Sequence, residues 1–249
     1  VVVTKKDIED DAYFAFRKTQ ANVLNTSRID CLHVSDLIKE CQRMVVLNKI
    51  KPIIGLDTTS AKRLYLGQLV HNQSDMSNVH MHETMFLYNW VTDEGVDGDT
   101  FHGIHPSTKW DYLAGSADDI RVVQGKYIIC DKKTTTKIGN KIKWGPSDEN
   151  KLQLNMYRVL LKKCYGIDAE WGCNIFIDID AEAERDLVAP IAFKLRPIEE
   201  TLDTMVQSAE TIKGYLLNKD IPPVHRCYLC DGYCPHATFC FGKNEQKKT

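Results

Sequence analysis

Two runs, DYLAGSADDIRVV at residues 111–123 and KYIICDKKTTT at residues 126–136, are separated only by Gln124 and Gly125. Strand-rich segments joined by so short a polar link read as an antiparallel hairpin, and a hairpin commits its chain to a sheet. The neighbouring segments decide which kind of sheet. Three helical stretches precede it: DIEDDAYFAFRKTQANVL, HVSDLIKECQRMVVLNKI with Ser35 as N-cap, and SAKRLYLGQLVHNQ after Thr58, Thr59 and Ser60. The pattern turns to strands at ETMFLYNWV. After the hairpin come a helix, ENKLQLNMYRVLLKKCY, ended by Gly166, and two strands, WGCNIFIDI and VAPIAFKL. A last helix follows, with Leu202, Met205, Val206, Ala209, Ile212 and Leu216 along one stripe. This order predicts an α/β (α+β) fold: a mixed central sheet flanked by helices, with a helical N-terminal region and a cysteine-rich C-terminal tail. The 249 residues, 43% of them hydrophobic, supply one sizeable core. A single domain over residues 1–240 and a polar tail over 241–249 are expected.

The hairpin also gathers chemistry. Pairing of the two runs sets Asp118 beside Asp131, and strand alternation puts Asp131 and Lys133 on one face. Two carboxylates and a lysine in one place suit magnesium or manganese, with the lysine neutralising charge that builds on a phosphate. The other account is a solvated hairpin end, and the doublet Asp118-Asp119 leaves two registers open. In GQLVH, His71 is either a metal ligand or a hydrogen-bonded core histidine. In QLNMY, Gln153 and Tyr157 lie one helical turn apart, placed to reach a phosphate or a water together or simply to pack. Lys137, Lys141 and Lys143 with Trp144 form a basic, aromatic segment leading away from the aspartates. It is either a DNA-binding stretch or a solvated loop anchored by its tryptophan.

Nine cysteines, an odd number unevenly spread, fit metal ligation in a reducing compartment better than a disulfide framework. CYLCDGYCPHATFC packs Cys227, Cys230, Cys234 and Cys240 into fourteen residues, while Cys41 lies far upstream. Thiolates at that density point to a zinc ion or an iron-sulfur cluster. Cys31, Cys130, Cys164 and Cys173 read as ordinary buried thiols, with Cys130 facing away from Asp131. A net charge of -2 gives no global basic field, so a polyanionic partner would be met by local patches. No run is long enough to span a membrane, and the opening VVVTKKDIEDD has no apolar signal core, so a cytoplasmic protein is expected.

Taken in order, GQLVH, GSADD, DKK and QLNMY resemble the consecutive motifs of the RecB-like nucleases of the PD-(D/E)xK superfamily, across roughly residues 31–240. Asp131 stands where Glu is more frequent. The resemblance implies a restriction-endonuclease-like fold with its catalytic motifs over residues 58–165. It implies a metal set of His71, Asp118, Asp131 and the backbone carbonyl of Lys132, with Asp118, Asp131, Lys133, Gln153 and Tyr157 catalytic. The iron-sulfur branch of that family, which includes the CRISPR-adaptation nuclease, draws one cysteine from upstream of the core and three from the C-terminal region. By resemblance, Cys41, Cys230, Cys234 and Cys240 would hold a 4Fe-4S cluster, with Cys227 as the substitute for Cys230, from segments 31–57 and 221–240. The implied activity is a Mg- or Mn-dependent exonuclease on single-stranded or frayed DNA, with spacer acquisition beside an integrase-type partner as one setting. The alternative is a zinc-stapled, catalytically inactive DNA-binding or scaffolding protein.

Overall fold

Gln124 and Gly125 both take positive φ, 50° and 75°, so the link between the two central strands is a turn whose twist matches theirs. The computed structural model describes residues 29–52, 79–97, 103–179, 188–230 and 234–242. His71, GQLVH and the first and third helices read from the sequence lie outside these residues. From Asp30 onward the described residues belong to one compact unit, Asp30–Ile54 with Asp75–Thr249.

Among the described residues seven strands form one sheet: β1 Leu32–His33, β2 Val79–Asn89, β3 Glu94–Asp97, β4 Tyr112–Val123, β5 Lys126–Thr135, β6 Trp171–Asp178 and β7 Val188–Lys194. The order is β3-β2-β4-β5-β6-β7, and β1 pairs with β4. The β2/β3, β2/β4, β4/β5 and β6/β7 pairs are antiparallel, whereas β5/β6 and β1/β4 are parallel. A parallel β5/β6 pair needs a crossover, and two helices supply it, α3 Ile138–Trp144 and α4 Asp148–Tyr165. The sheet is therefore mixed, with helices packed on it.

The α4 helix is framed by local chemistry. Ser147 Oγ accepts from the Asn150 backbone N–H at 3.3 Å, and Gly166 closes the other end at φ 70°. Acids at 148 and 149 and lysines at 162 and 163 complement its dipole. Its Leu154, Met156, Val159, Leu160 and Leu161 are buried together with Met205, Ala209, Ile212 and Leu216 of α5, Ile198–Asn218. Two glycines let α4 settle close to the sheet. A Cβ on Gly115 would lie 3.0 Å from the Tyr157 ring, and one on Gly172 would lie 3.0 Å from Leu154 and 2.9 Å from Leu195.

Two sequence expectations need correction. HVSDLIKECQRMVVLNKI is two helices, α1 Val34–Leu37 and α2 Gln42–Ile50, and Ser35 lies inside the first. His33 holds the cap position, its backbone N–H donating to Asp36 Oδ2 at 3.0 Å. Leu32 and His33 are committed to β1, and the extended backbone at Cys41 breaks the helix, so that Leu37, Val45 and Val46 all reach the core. Strand β2 begins at Val79, ahead of ETMFLYNWV, because polar His80 and His82 hide its apolar pattern. Among the described residues no helix is long and apolar enough to cross a membrane.

Candidate active site

The alternation of β4 changes phase in the middle of GSADD. Leu113 and Ala117 lie in the core, and so does Ile120, which has the opposite parity. The partner strand β2 carries the positive φ of Glu83, 45°, at the corresponding level. The phase change puts Ala117 and Asp118 on the same side as Ile120, with Asp119 on the other, and both aspartates are buried. They end on opposite faces of the sheet with different partners.

Asp118 belongs to the core-facing side. The β4/β5 ladder ends at the Asp119–Cys130 pair, and the Lys132 N–H just beyond it donates to Asp118 Oδ2 at 2.6 Å. The carboxylate thus takes the place of a ladder carbonyl and grips the peptide that directly follows Asp131. Asp131 is itself 2% exposed. Lys133 Nζ lies 3.0 Å from both of its carboxylate oxygens. Asn174, its register partner on β6, donates through Nδ2 to Asp131 Oδ2 at 3.1 Å. Above the same side of β4, Gln153 Nε2 donates to the Tyr157 hydroxyl at 2.7 Å, and both residues are buried. The structure therefore brings Asp118, Asp131 and Lys133 together and sets the Gln153–Tyr157 pair on the helix that covers their sheet.

Asp119 serves the other face. His82 Nδ1 lies 2.7 Å from its Oδ1, and Lys132 Nζ lies 3.5 Å from its Oδ2. Cys130 sits opposite Asp119 and faces away from Asp131, as alternation predicts, beside Cys173 on β6. The hydrogen bond with Cys173 and then burial drive the Cys130 thiol far above its usual range. Cys31 is also buried and is pushed up to about 12 by that burial, whereas Cys164 and Cys173 are half-buried.

Beyond Lys133 the chain enters α3. Ile138 packs with Phe176 and Ala189, and its N–H donates to Asp178 Oδ2 at 3.4 Å. Trp144 is 73% exposed and so is no core anchor, while Lys143 Nζ stands 4.6 Å over its ring centroid. Lys141 Nζ lies 5.3 Å from the Phe176 ring centroid.

The upstream cysteine and the tail also meet. Cys41 caps α2, and Arg43 in that helix donates through Nε to Cys240 Sγ at 3.2 Å. Burial raises the Cys234 thiol, the His236 backbone N–H lowers it, and nearby Cys230, Cys41 and Cys240 add to the rise. Those four thiols are thus electrostatic neighbours. Cys227 Sγ lies 3.9 Å from Cys230 Sγ, about the edge of a tetrahedron built on ~2.3 Å metal–sulfur bonds. His236, driven below its usual range by burial and then by Lys51, donates Nε2–H to Asn48 Oδ1 at 2.7 Å and fastens the tail to α2.

Among the described residues no three His, Cys, Asp or Glu side chains form a ready-made ion cage. The chemistry of the donors still matches two different groups. Asp118 and Asp131 offer the hard oxygens that magnesium and manganese take, and the neighbouring Asn174 Oδ1 is a buried oxygen with no hydrogen-bond partner among the described residues. Cys41, Cys230, Cys234 and Cys240, the last bonded to Arg43, offer soft sulfur. Asn174 escaped the sequence reading, although its signal was present: one amide inside the apolar run WGCNIFIDI.

No family model matches the sequence, and no curated protein matches it. The chain is similar to the solved structure of SSO0001 at 19% identity, with 93% of this chain and 96% of that one covered and a TM-score of 0.54. It is also similar to LHK-Exo in complex with dAMP, at 10% identity over 78% of this chain and 91% of that one, with a TM-score of 0.47. A phage related exonuclease from Haemophilus somnus 129PT aligns at 10% identity over 76% of this chain and 96% of that one, with a TM-score of 0.42. The likeness to SSO0001 shows that this mixed α/β fold is one already seen in a solved structure.

Proposed function

We propose that the chain is a divalent-metal-dependent deoxyribonuclease acting on single-stranded or frayed DNA, with its reaction centre at Asp118, Asp131 and Lys133. The observation that carries this reading is the grip of Asp118 on the peptide after Asp131, while Lys133 bridges both oxygens of that second acid. Two buried carboxylates joined through the Lys132 peptide offer the hard oxygens that a divalent cation takes. Magnesium or manganese, held by Asp118 and Asp131 with the Lys132 carbonyl, would supply Lewis acidity and an activated water for phosphodiester hydrolysis.

The protein's own part is positioning and charge. The Lys132 N–H and the Asn174 amide fix the two carboxylates, so little reorganisation remains when substrate arrives. The Lys133 side chain is 30% exposed and can turn its ammonium towards a phosphate while its stem stays anchored. Gln153 and Tyr157, already joined at 2.7 Å, present an amide and a phenol as one rigid unit for orienting a phosphate or a water. Lys137, Lys141 and Lys143 would track the backbone of the strand, and exposed Trp144 would stack a base. Trimming of DNA for an integrase-type partner, as in CRISPR adaptation, is one setting that such a nuclease would serve, and a viral or repair exonuclease is another.

A structural 4Fe-4S cluster on Cys41, Cys230, Cys234 and Cys240 would staple α2 to the tail, and the electrostatic proximity of those thiols supports it. The 3.9 Å Cys227–Cys230 spacing favours zinc as the rival occupant. Visible absorption with iron and sulfide analysis separates them, because a zinc protein is colourless. The functional reading itself is tested by incubating an end-labelled single strand with the purified full chain and Mn2+ or Mg2+. Shortened products dependent on the ion are expected, and an intact strand with both ions would sink the assignment.

A further inference from the structure

Asn174 is fully buried on β6, one alternation after Gly172, which seats α4, and one before Phe176, which packs on α3. Its amide orientation is fixed by chemistry, because a carboxylate only accepts: Nδ2 must face Asp131, and Oδ1 must face elsewhere. Oδ1 then lies buried with no hydrogen-bond partner among the described residues, and it is the only such side-chain atom found among them. An apolar side chain in this apolar strand would avoid that cost. The 3.1 Å bond and the ~2.3 Å between the two amide heteroatoms put Oδ1 no more than about 5.4 Å from Asp131 Oδ2. One water spans such a gap with two hydrogen bonds of about 2.8 Å.

We infer that Asn174 is a positioning residue of the reaction centre, whose amide NH2 fixes the Asp131 carboxylate and whose carbonyl oxygen accepts a hydrogen from the water shell of a bound divalent ion. This rests on the functional reading above and assigns it a further residue. Magnesium and manganese keep several waters when few protein ligands are present, and those waters need acceptors. Partners of this outer kind fix the direction of a ligand and raise affinity without touching the ion.

The test uses the purified full chain without DNA. Mn2+ binding is followed by the loss of the free-ion electron paramagnetic resonance signal, and melting temperature is read with and without the ion, for wild type, D131A, N174L and N174D. Wild type should bind Mn2+ in a manner abolished by D131A. N174L, of similar volume, should melt near wild type without metal yet bind Mn2+ on the order of tenfold or more weakly. A loss of that size with an unchanged ion-free melting temperature is not what a merely structural role produces. N174D retains an oxygen acceptor but sets a second carboxylate against Asp131, so its melting temperature should fall without metal and rise with Mn2+ by more than that of wild type. This variant decides the matter if N174L does not fold. Equal Mn2+ affinity in N174L and wild type, or a melting rise in N174D no larger than in wild type, overturns the role of Asn174 and leaves the nuclease reading standing. Wild-type binding that ignores D131A overturns both.

Discussion

The two faces of the β4/β5 hairpin hold the same kinds of residue and use them differently. On one face Asp119 is enclosed between His82 and Lys132, and that lysine is 5% exposed in its side chain. On the other, Asp131 is held by Lys133 and Asn174, its lysine is 30% exposed, and the asparagine keeps an unmet acceptor. Consecutive lysines of one strand are thus one enclosed ion and one that still reaches solvent. Carboxylate and ammonium content is therefore the same on both faces, and what separates them is a carboxylate fixed by donors beside a cation that still reaches solvent, with polar capacity left over.

The most severe test of this contrast is D131A. Cleavage of a labelled single strand should fall by about 10³-fold or more, as when a group acting directly at the reacting centre is removed. Cooperative unfolding should persist. Full activity in D131A would move the chemistry away from this face. Asp119→Ala should do the reverse. It deprives the buried Lys132 ammonium of its carboxylate, which costs about 3–5 kcal/mol in urea unfolding, while activity per folded molecule is kept. A loss of cleavage at unchanged stability would erase the distinction between the faces. Lys133→Met takes the ammonium from the buried Asp131 carboxylate, so stability should fall when no divalent ion is present, while cleavage per folded molecule drops by about 10²- to 10³-fold.

Much of this arrangement was legible in the residues. Period-2 alternation placed Asp131 and Lys133 together and turned Cys130 away, and Gln124-Gly125 announced the hairpin turn. Gly166 marked the end of α4, and the 3.6-residue stripe marked the buried face of α5. The Asp118–Asp119 choice was not legible, because it depends on a phase change in β4 opposite Glu83, a backbone event with no side-chain signature. Asn174 was missed for another reason. Its meaning comes from the parallel β5/β6 register, a pairing across a two-helix crossover that no local pattern specifies. The broken α1–α2 helix shows the same limit, since Ser35 has good capping chemistry but Leu32 and His33 are claimed by a distant strand.

The gentlest prediction follows the Asp131 face outwards. Phe176 comes one alternation after Asn174, Ile138 packs on it, and α3 carries Trp144 from there into solvent. An exposed tryptophan contributes little to folding, so W144A should leave the melting free energy within ~0.5 kcal/mol. If a base stacks on that ring, the same change should weaken binding of a labelled oligothymidine by about 1–3 kcal/mol, measured by anisotropy with the divalent ion withheld. Lys143 over the ring sharpens the expectation, because its charge adds a salt-dependent phosphate contact that the stacking contribution lacks. W144A should therefore lower affinity at every salt concentration with the slope retained, whereas K143A should flatten the slope. Equal binding by W144A and wild type would confine the DNA path to the strands and remove α3 from it.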